Sequence, residues 1–389
     1  MLAGPRPTAW FGAPDVRGET VLVTGGAGFV GSHLVDALVG RGATVRVLDN
    51  LDPQVHAEGQ PPPWISPDAE LVVGDVRDPD TIRRTVRGVD VVYHLAAAVG
   101  VGQSMYRVAD YVDTNTAATA RLLQVLLEER IDLRRLVVAS SMSIYGEGLY
   151  LRPDGTRAER VRRSQDQLSR REWEPRDVDG APLSPRPTPE DEPPDPTSVY
   201  ALTKADQERL SLMIGEAYGI PTVALRFFNI YGPRQALSNP YTGVMAIFSS
   251  RLLNGKPPLI YEDGRQRRDF VSVHDVVRAL LLAGEREEAV GTALNIGSGN
   301  AVEVIEVADT LSRVLGLGIG PSVTGRYRVG DIRHCVANIG RARSLLGYEP
   351  CVTLAKGLEE LVAWTVAQQR PRDGLEEHAS QLAGLGLTV

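Results

Sequence analysis

The chain has 389 residues, 43% of them hydrophobic and 23% charged, with a formal net charge of -7 at pH 7. This is the composition of a soluble globular protein with a sizeable core, and its acidic balance, without a basic run interleaved with aromatics, argues against nucleic acid as a partner. No stretch approaches the ~18 uninterrupted apolar residues of a membrane span, and the N-terminus lacks the order of a signal peptide. The two cysteines, Cys335 and Cys351, cannot build a disulfide framework or a zinc knuckle and are read as free thiols of a cytoplasmic protein, with no metal expected.

Residues 1–18, rich in Pro and Gly, read as an N-terminal extension. Glu19–Thr24 is a short β-branched run of the buried parallel type. It enters Gly25-Gly26-Ala27-Gly28-Phe29-Val30-Gly31, and helical periodicity follows from Ser32. Strand, glycine loop and helix in that order are the setting of a dinucleotide fingerprint. Gly25 permits the turn, Gly28 lets backbone approach a pyrophosphate, Gly31 lets helix and strand pack closely, and the helix N-terminus offers N–H groups to phosphate. Thr44–Asp49 is the next strand. Asp49 and the adjoining Asn50 stand about twenty residues on, where a carboxylate holds the ribose hydroxyls of NAD and repels the 2′-phosphate of NADP.

Three more strands are expected: Leu71–Val76, ending in Asp75 and Val76; Val89–Ala97, ending in Leu95, Ala96 and Ala97; and Arg135–Ser141. A helix is expected over 105–129, and His94 is read as a backbone-bonded strand-end residue rather than a base. Residues 147–196 interrupt the rhythm with many Arg, Asp, Glu and Pro residues, and are expected to be a functional insertion or a lid. Tyr200 and Lys204 lie four residues apart at a helix start, on one face; an ammonium there would bring the phenol towards neutral pH. Thr222–Asn229 is a sixth strand, Pro258–Tyr261 another, and Asp275–Ala283 a helix. The pattern predicts an α/β protein with a Rossmann-type doubly wound parallel sheet. Residues 19–235 are assigned to the NAD-binding part, and 236–389 mainly to a smaller substrate-binding part that returns to the main sheet.

Thr24–Gly31, His94–Ala97, Ser140–Gly146, Tyr200-x-x-x-Lys204, Leu225–Pro233 and Arg268–Val271, in that order, resemble the extended short-chain dehydrogenase/reductase family in its NAD-dependent nucleotide-sugar epimerase/dehydratase branch. The resemblance implies Ser141, Tyr200 and Lys204 as the catalytic set. It puts Asn115 and Phe228 on the cofactor, beside Gly25, Gly28, Phe29, Val30, Gly31, Asp49, Asn50, Asp75, Val76, Leu95, Ala96 and Ala97. It puts Ser143, Asn229, Val244, Tyr261, Arg268, Arg328 and Asp331 on a nucleotide-sugar substrate. A homodimer is implied, through the segments 105–129 and 199–217.

Dehydratases of this branch carry an Asp-Glu pair directly after the Ser/Thr; decarboxylases carry Glu, and epimerase-reductases Cys, at the position of Ser143. Here Met142 and Ser143 stand there, and neither serves as a general acid or base. The expected reaction is therefore 4-epimerisation, with one-way reduction of a 4-keto sugar as the alternative. The segments 139–148, 173–175 and 231–244 are similar to bacterial dTDP-L-rhamnose 4-epimerases, although residues 147–196 lack the paired cysteines expected of such relatives. UDP-hexose and UDP-uronate substrates stay open, as does a non-catalytic NAD(P)-sensing protein.

Overall fold

The computed structural model describes residues 18–56, 59–237, 239, 241, 243–328, 330–368 and 383–388; apart from Gly18, the expected N-terminal extension lies outside them. Strands β1 (Thr20–Thr24), β2 (Thr44–Asp49), β3 (Glu70–Val73), β4 (Val91–His94), β5 (Arg135–Ser141) and β6 (Thr222–Phe227) alternate with helices. After β7 (Asn229–Tyr231) and β8 (Arg267–Ser272), β9 (Thr292–Ile296) returns to the edge. The main sheet is seven-stranded and parallel throughout, in the order β9-β6-β5-β4-β1-β2-β3. The order reverses between β1 and β4, which opens a crevice at their C-terminal ends.

Strand alternation assigns each face its helices. Val21, Val23, Val45 and Val47 face one side, against Leu34, Val35 and Leu38 of α1 (Phe29–Val39). Leu22, Leu48, Val92 and Leu136 face the other, against Ile82 and Val86 of α2 (Pro79–Val86) and Leu122 and Leu126 of α3 (Ala118–Glu128). The long helix α4 (Val199–Tyr218) begins where the Ser198 side chain accepts from Ala201 N–H and ends at Gly219 in the left-handed conformation. Such a serine cap contributes about 1 kcal/mol.

Several boundaries differ from expectation, among them the strand expected over Val89–Ala97, which spans Val91–His94. The third strand stops at Val73, because Asp75 Oδ1 accepts from the Arg77 N–H at 2.8 Å and turns the chain. The helix expected over 105–129 is helical over Val108–Tyr111, π-helical over Val112–Ala117, and regular again in α3. The sixth strand splits at Phe228, and Asn229 leaves the main sheet to pair with Phe270.

β7, β8, β10 (Ala301–Glu303) and β11 (His334–Cys335) form a smaller mixed sheet. It shares a core, built around Tyr231, Phe248, Leu311 and Leu358, with α5 (Val244–Leu253), α7 (Val304–Val314) and α8 (Leu354–Ala367). α6 (Val273–Ala283) packs back on the main sheet through Val276, Val277 and Leu280. The insertion is a built element: Tyr150–Leu151 pairs with Ser184–Pro185 over a small core of Tyr150, Ala158, Val161 and Leu183. Among the described residues, no helix is long and apolar enough to cross a membrane.

Candidate active site

Tyr200, Lys204 and Glu208 recur every fourth residue of α4 and so form one stripe, which β5 receives residue by residue. Tyr200 lies beside Ser141, whose hydroxyl lowers its pKa, Lys204 Nζ donates to the Ala139 carbonyl at 2.9 Å, and Glu208 Oε2 accepts from Ser140 Oγ at 2.6 Å. Glu208 also takes the Arg226 fork at 2.6 and 2.9 Å, and Arg226 reaches the Tyr145 hydroxyl at 2.6 Å. This buried ion pair locks helix to sheet directly behind Tyr200. Glu208 and Arg226 were missed in the sequence, although the i, i+4, i+8 spacing marks Glu208.

Ser141 lies at the end of β5, where the chain turns into a short 3-10 helix. Its Oγ accepts from Ser143 Oγ at 2.9 Å and from the Ser143 N–H at 3.2 Å. Both donations leave the Ser141 hydroxyl proton unused within this pair. Met142 is buried and aimed into the core rather than towards the site. Burial pushes the Tyr200 phenol up, and the Ser141 hydrogen bond pulls it down. Burial likewise brings the Lys204 ammonium down to about 7. The expectation that Lys204 draws the phenol towards neutrality is thus corrected: burial wins, and the opposing pull comes from Ser141.

The glycine loop meets its steric requirements. Gly25 has φ +70°, and a Cβ there would lie 2.9 Å from Ala96 Cα; a Cβ on Gly31 would lie 2.2 Å from the Gly25 carbonyl oxygen. α1 begins at Gly28 with no side-chain cap and no acid in its first turn, so the N–H groups of Phe29, Val30 and Gly31 meet no capping side chain. Asp49 is buried at the end of β2; it accepts from Ala27 N–H at 3.0 Å and Leu51 N–H at 2.9 Å, with His56 Nε2 3.6 Å away. Asp75 accepts from Asn50 Nδ2 at 3.2 Å and from Arg77, whose hydrogen bonds hold its carboxyl at about 2. Val76 and Phe228 are buried, and Leu95, Ala96 and Ala97 are partly so. An uncapped helix start, a glycine cradle and a carboxylate one strand over are the donor set a dinucleotide requires. His56 and Arg77 were not anticipated.

Asn115 requires a correction. It is fully buried in the π-helical segment, where it accepts from Ala98 N–H at 2.8 Å and donates to Ala98 O and Thr203 Oγ1, each at 3.0 Å. Its amide shapes the loop after β4 instead of facing a cofactor. It belongs to a buried chain of polar side chains. Thr119 Oγ1 donates to Asn115 O at 2.7 Å, accepts from Gln207 Nε2 at 2.8 Å and lies 2.9 Å from His94 Nε2. His94 Nδ1 lies 2.8 Å from Thr24 Oγ1, and Thr24 accepts from Ala96 N–H at 3.2 Å. Thr203 completes the path by donating to the Tyr200 carbonyl at 2.9 Å. Burial holds His94 neutral, with its pKa down at about 3. His94 bonds side chains where the sequence suggested backbone.

Of the expected substrate residues, Asn229 and Arg268 lie on strands of the smaller sheet, while Ser143 follows the main-sheet strand β5. The Arg328 guanidinium stacks 4.3 Å over the Tyr261 ring, and its buried Nε has no hydrogen-bond partner among the described residues. Arg268 donates to Arg333 O at 2.8 Å and to Ile332 O, and lies 3.6 Å from Asp331. Asn229 Oδ1 is buried without a partner among the described residues, and Val244 opens α5. Arg328 and Asp331 line a cavity together with Glu147, Thr197 and the insertion residues Val161 and Arg163. Among the described residues, no group of three or more His, Cys, Asp or Glu is arranged to hold a metal.

Comparison with known proteins gives a consistent picture. The profile of the NAD dependent epimerase/dehydratase family matches residues 21–169 and 177–297. A dTDP-L-rhamnose 4-epimerase of Burkholderia thailandensis is 36% identical over 92% of this chain and 97% of its own length. A putative UDP-glucose 4-epimerase of Methanocaldococcus jannaschii is 32% identical over 88% of this chain and 97% of its own. Among solved structures, UDP-glucuronic acid 4-epimerase from Bacillus cereus, in complex with UDP-glucuronic acid and NAD, superposes with a TM-score of 0.73 at 27% identity, covering 89% of this chain and 99% of that one. UDP-glucose 4-epimerase from Thermotoga maritima, with UDP-glucose, gives a TM-score of 0.73 at 30% identity, covering 89% and 98%.

Proposed function

The chain belongs to the NAD dependent epimerase/dehydratase family, and from that premise we propose that it is a nucleotide-sugar 4-epimerase acting on a dTDP-6-deoxyhexose of the L-rhamnose/6-deoxy-L-talose type. The observation that carries the reaction is the surroundings of Ser141: Met142 is turned into the core and Ser143 donates to Ser141, so neither position offers a carboxylate, which leaves Tyr200 as the proposed proton carrier. One proton carrier suits oxidation and re-reduction at a single carbon. Removal of water across C5 and C6 would require a second acid or base.

Tyr200 takes the proton of the sugar 4-OH, with Ser141 donating to the developing phenolate and Lys204 behind it. Bound NAD supplies the chemistry of accepting a hydride from C4 and returning it to the opposite face. The sugar turns over between the two halves as a 4-keto intermediate, and Tyr200 then returns the proton. Gly25, Gly28, Phe29, Val30 and Gly31 would hold the diphosphate of NAD, and Asp49 its adenosine ribose. Asn50, Asp75 and Val76 would border the adenine, and Leu95, Ala96, Ala97 and Phe228 the remaining wall. Arg268 and Arg328 would take the substrate diphosphate; Asn229, Val244, Tyr261, Asp331 and Ser143 would shape the rest.

The sugar rests on the Burkholderia relative and its 36% identity. The Methanocaldococcus relative and the Bacillus cereus structure support a second reading, a UDP-hexose or UDP-uronate 4-epimerase. Incubating the holoenzyme with dTDP-L-rhamnose, UDP-glucose and UDP-glucuronic acid, and following the C4 epimer by NMR, separates the two. Exposed Leu202, Met213 and Tyr218 on α4, with Val108 and Val112 on the helix beside it, support a homodimer. The free thiols Cys335 and Cys351 support a cytoplasmic location.

A further inference from the structure

The insertion is tied to the rest of the molecule through buried charge. The Arg163 side chain is 3% exposed, and each of its three nitrogens has a partner on a different segment. Nε donates to Glu147 Oε1 at 3.0 Å, NH1 to Glu262 Oε1 at 2.6 Å, and NH2 to the Asp331 carbonyl at 2.7 Å. Arg333, 1% exposed, meets the same acids from the other side: its NH1 donates to Glu262 Oε2 at 2.9 Å, and its backbone N–H to Glu147 Oε2 at 2.6 Å. Its fork continues to Asp263 and Glu174. Glu174 also takes His334 Nε2 at 2.9 Å; burial would raise this carboxyl, but the His334 and Arg333 bonds hold it at about 2.

Glu262 bridges both arginines and has φ +55°, a left-handed backbone at a non-glycine residue. Such a conformation persists only where its surroundings over-determine it. Its predecessor Tyr261 is the platform under Arg328. Arg163 therefore acts at both ends of the candidate diphosphate pocket. Through Glu262 it fixes the ring that carries Arg328, and through the Asp331 carbonyl it fixes the loop beside Arg268. It also lines the cavity that Arg328 and Asp331 border.

We propose that Arg163 is a positioning residue for nucleotide-diphosphate recognition, and that the insertion is a fixed wall of the substrate site, held there by this ionic cluster. The inference rests on the substrate assignment of Arg328 and Asp331 made above. A planar fork reaching three acceptors in three directions is what Arg supplies and Lys does not. Arg163 does not touch the NAD half, so its loss acts on substrate binding and leaves cofactor retention alone.

The test uses Arg163→Met and Arg163→Lys in the full-length protein. Calorimetric titration with dTDP and UDP is run beside steady-state kinetics and the NAD content of the purified protein. Arg163→Met is expected to weaken nucleoside-diphosphate binding and raise KM about 10- to 100-fold, with kcat within about threefold and NAD content unchanged. Arg163→Lys, which keeps the charge, is expected to show the same split to a smaller degree and decides the matter alone if the Met variant does not fold. Unchanged diphosphate affinity in a folded variant overturns the proposal, as does a parallel fall in diphosphate binding, NAD content and melting temperature. A wild-type protein that binds dTDP or UDP but epimerises no sugar overturns the proposed function, and the titration still decides the role of Arg163.

Discussion

The Ser143 hydroxyl donates to Ser141 Oγ at 2.9 Å. This commits the residue two positions after the strand end to orienting its neighbour, where a dehydrating or decarboxylating relative would use a carboxylate. Ser141 accepts from Ser143 twice, and its hydroxyl lowers the pKa of the Tyr200 phenol beside it.

Breaking the first link is expected to give a graded effect. Ser143→Ala removes one net hydrogen bond, worth about 1 kcal/mol, so turnover falls about fivefold. The phenolate loses part of its stabilisation, so the rising limb of the pH–rate profile moves to higher pH. A pH–rate series on the variant checks this; an unshifted limb would show that Ser143 does not act through Ser141.

Tyr200→Phe removes the proton carrier. NAD stays bound, and turnover falls by ~10²–10⁴-fold, the usual contribution of a positioned acid/base. Chromatography of released cofactor and an NMR rate assay on the same preparation check both parts. Wild-type-like turnover would remove Tyr200 from the mechanism.

Asp49→Ala leaves the Ala27 and Leu51 N–H groups without their acceptor and takes away the negative charge proposed to face the ribose. NAD affinity is expected to drop about 10- to 100-fold, as for loss of hydrogen bonds to a charged group, and discrimination against NADP to weaken. Competition binding of the two cofactors measures the ratio; an unchanged ratio would refute the ribose assignment.

The Thr24–His94–Thr119 chain predicts a pH signature in stability. The folded pKa of His94 lies at about 3, below the unfolded value near 6.5. Between those values the unfolded chain binds a proton that the folded one does not, so stability falls as pH drops through that window. From pH 6.5 to 5 the contribution of this group is about 2 kcal/mol. His94→Gln should be less stable than wild type at pH 7 and show a flatter pH dependence below 6.5. Urea denaturation at several pH values checks it; parallel slopes would count against a buried neutral His94.

Much of this was legible in the sequence because its signals are local. β-branched runs marked the main-sheet strands, and the Gly25–Gly31 spacing marked the loop whose close contacts forbid side chains. Tyr200 and Lys204 were legible through helical spacing. What escaped depends on contacts distant in sequence. Glu147 meets Arg333 across 186 positions, and Arg163 meets Glu262 across 99; charged residues in a segment without periodicity carry no record of such partners. The π-helical segment at Asn115 escaped for a related reason: its cause lies in bonds to Ala98 and Thr203 from other elements. The β-branched and aromatic run extends the strand to Asn229, although the chain changes sheets one residue earlier.

The central claim is net redox-neutral inversion at C4, and the most direct measurement is proton NMR of dTDP-L-rhamnose with the purified holoenzyme and no added reductant. The account predicts an equilibrium mixture with the C4 epimer and no net change in NADH absorbance. No epimer from that sugar or from any UDP-hexose or UDP-uronate, or turnover only with stoichiometric reduced cofactor and a 4-keto sugar, would contradict it.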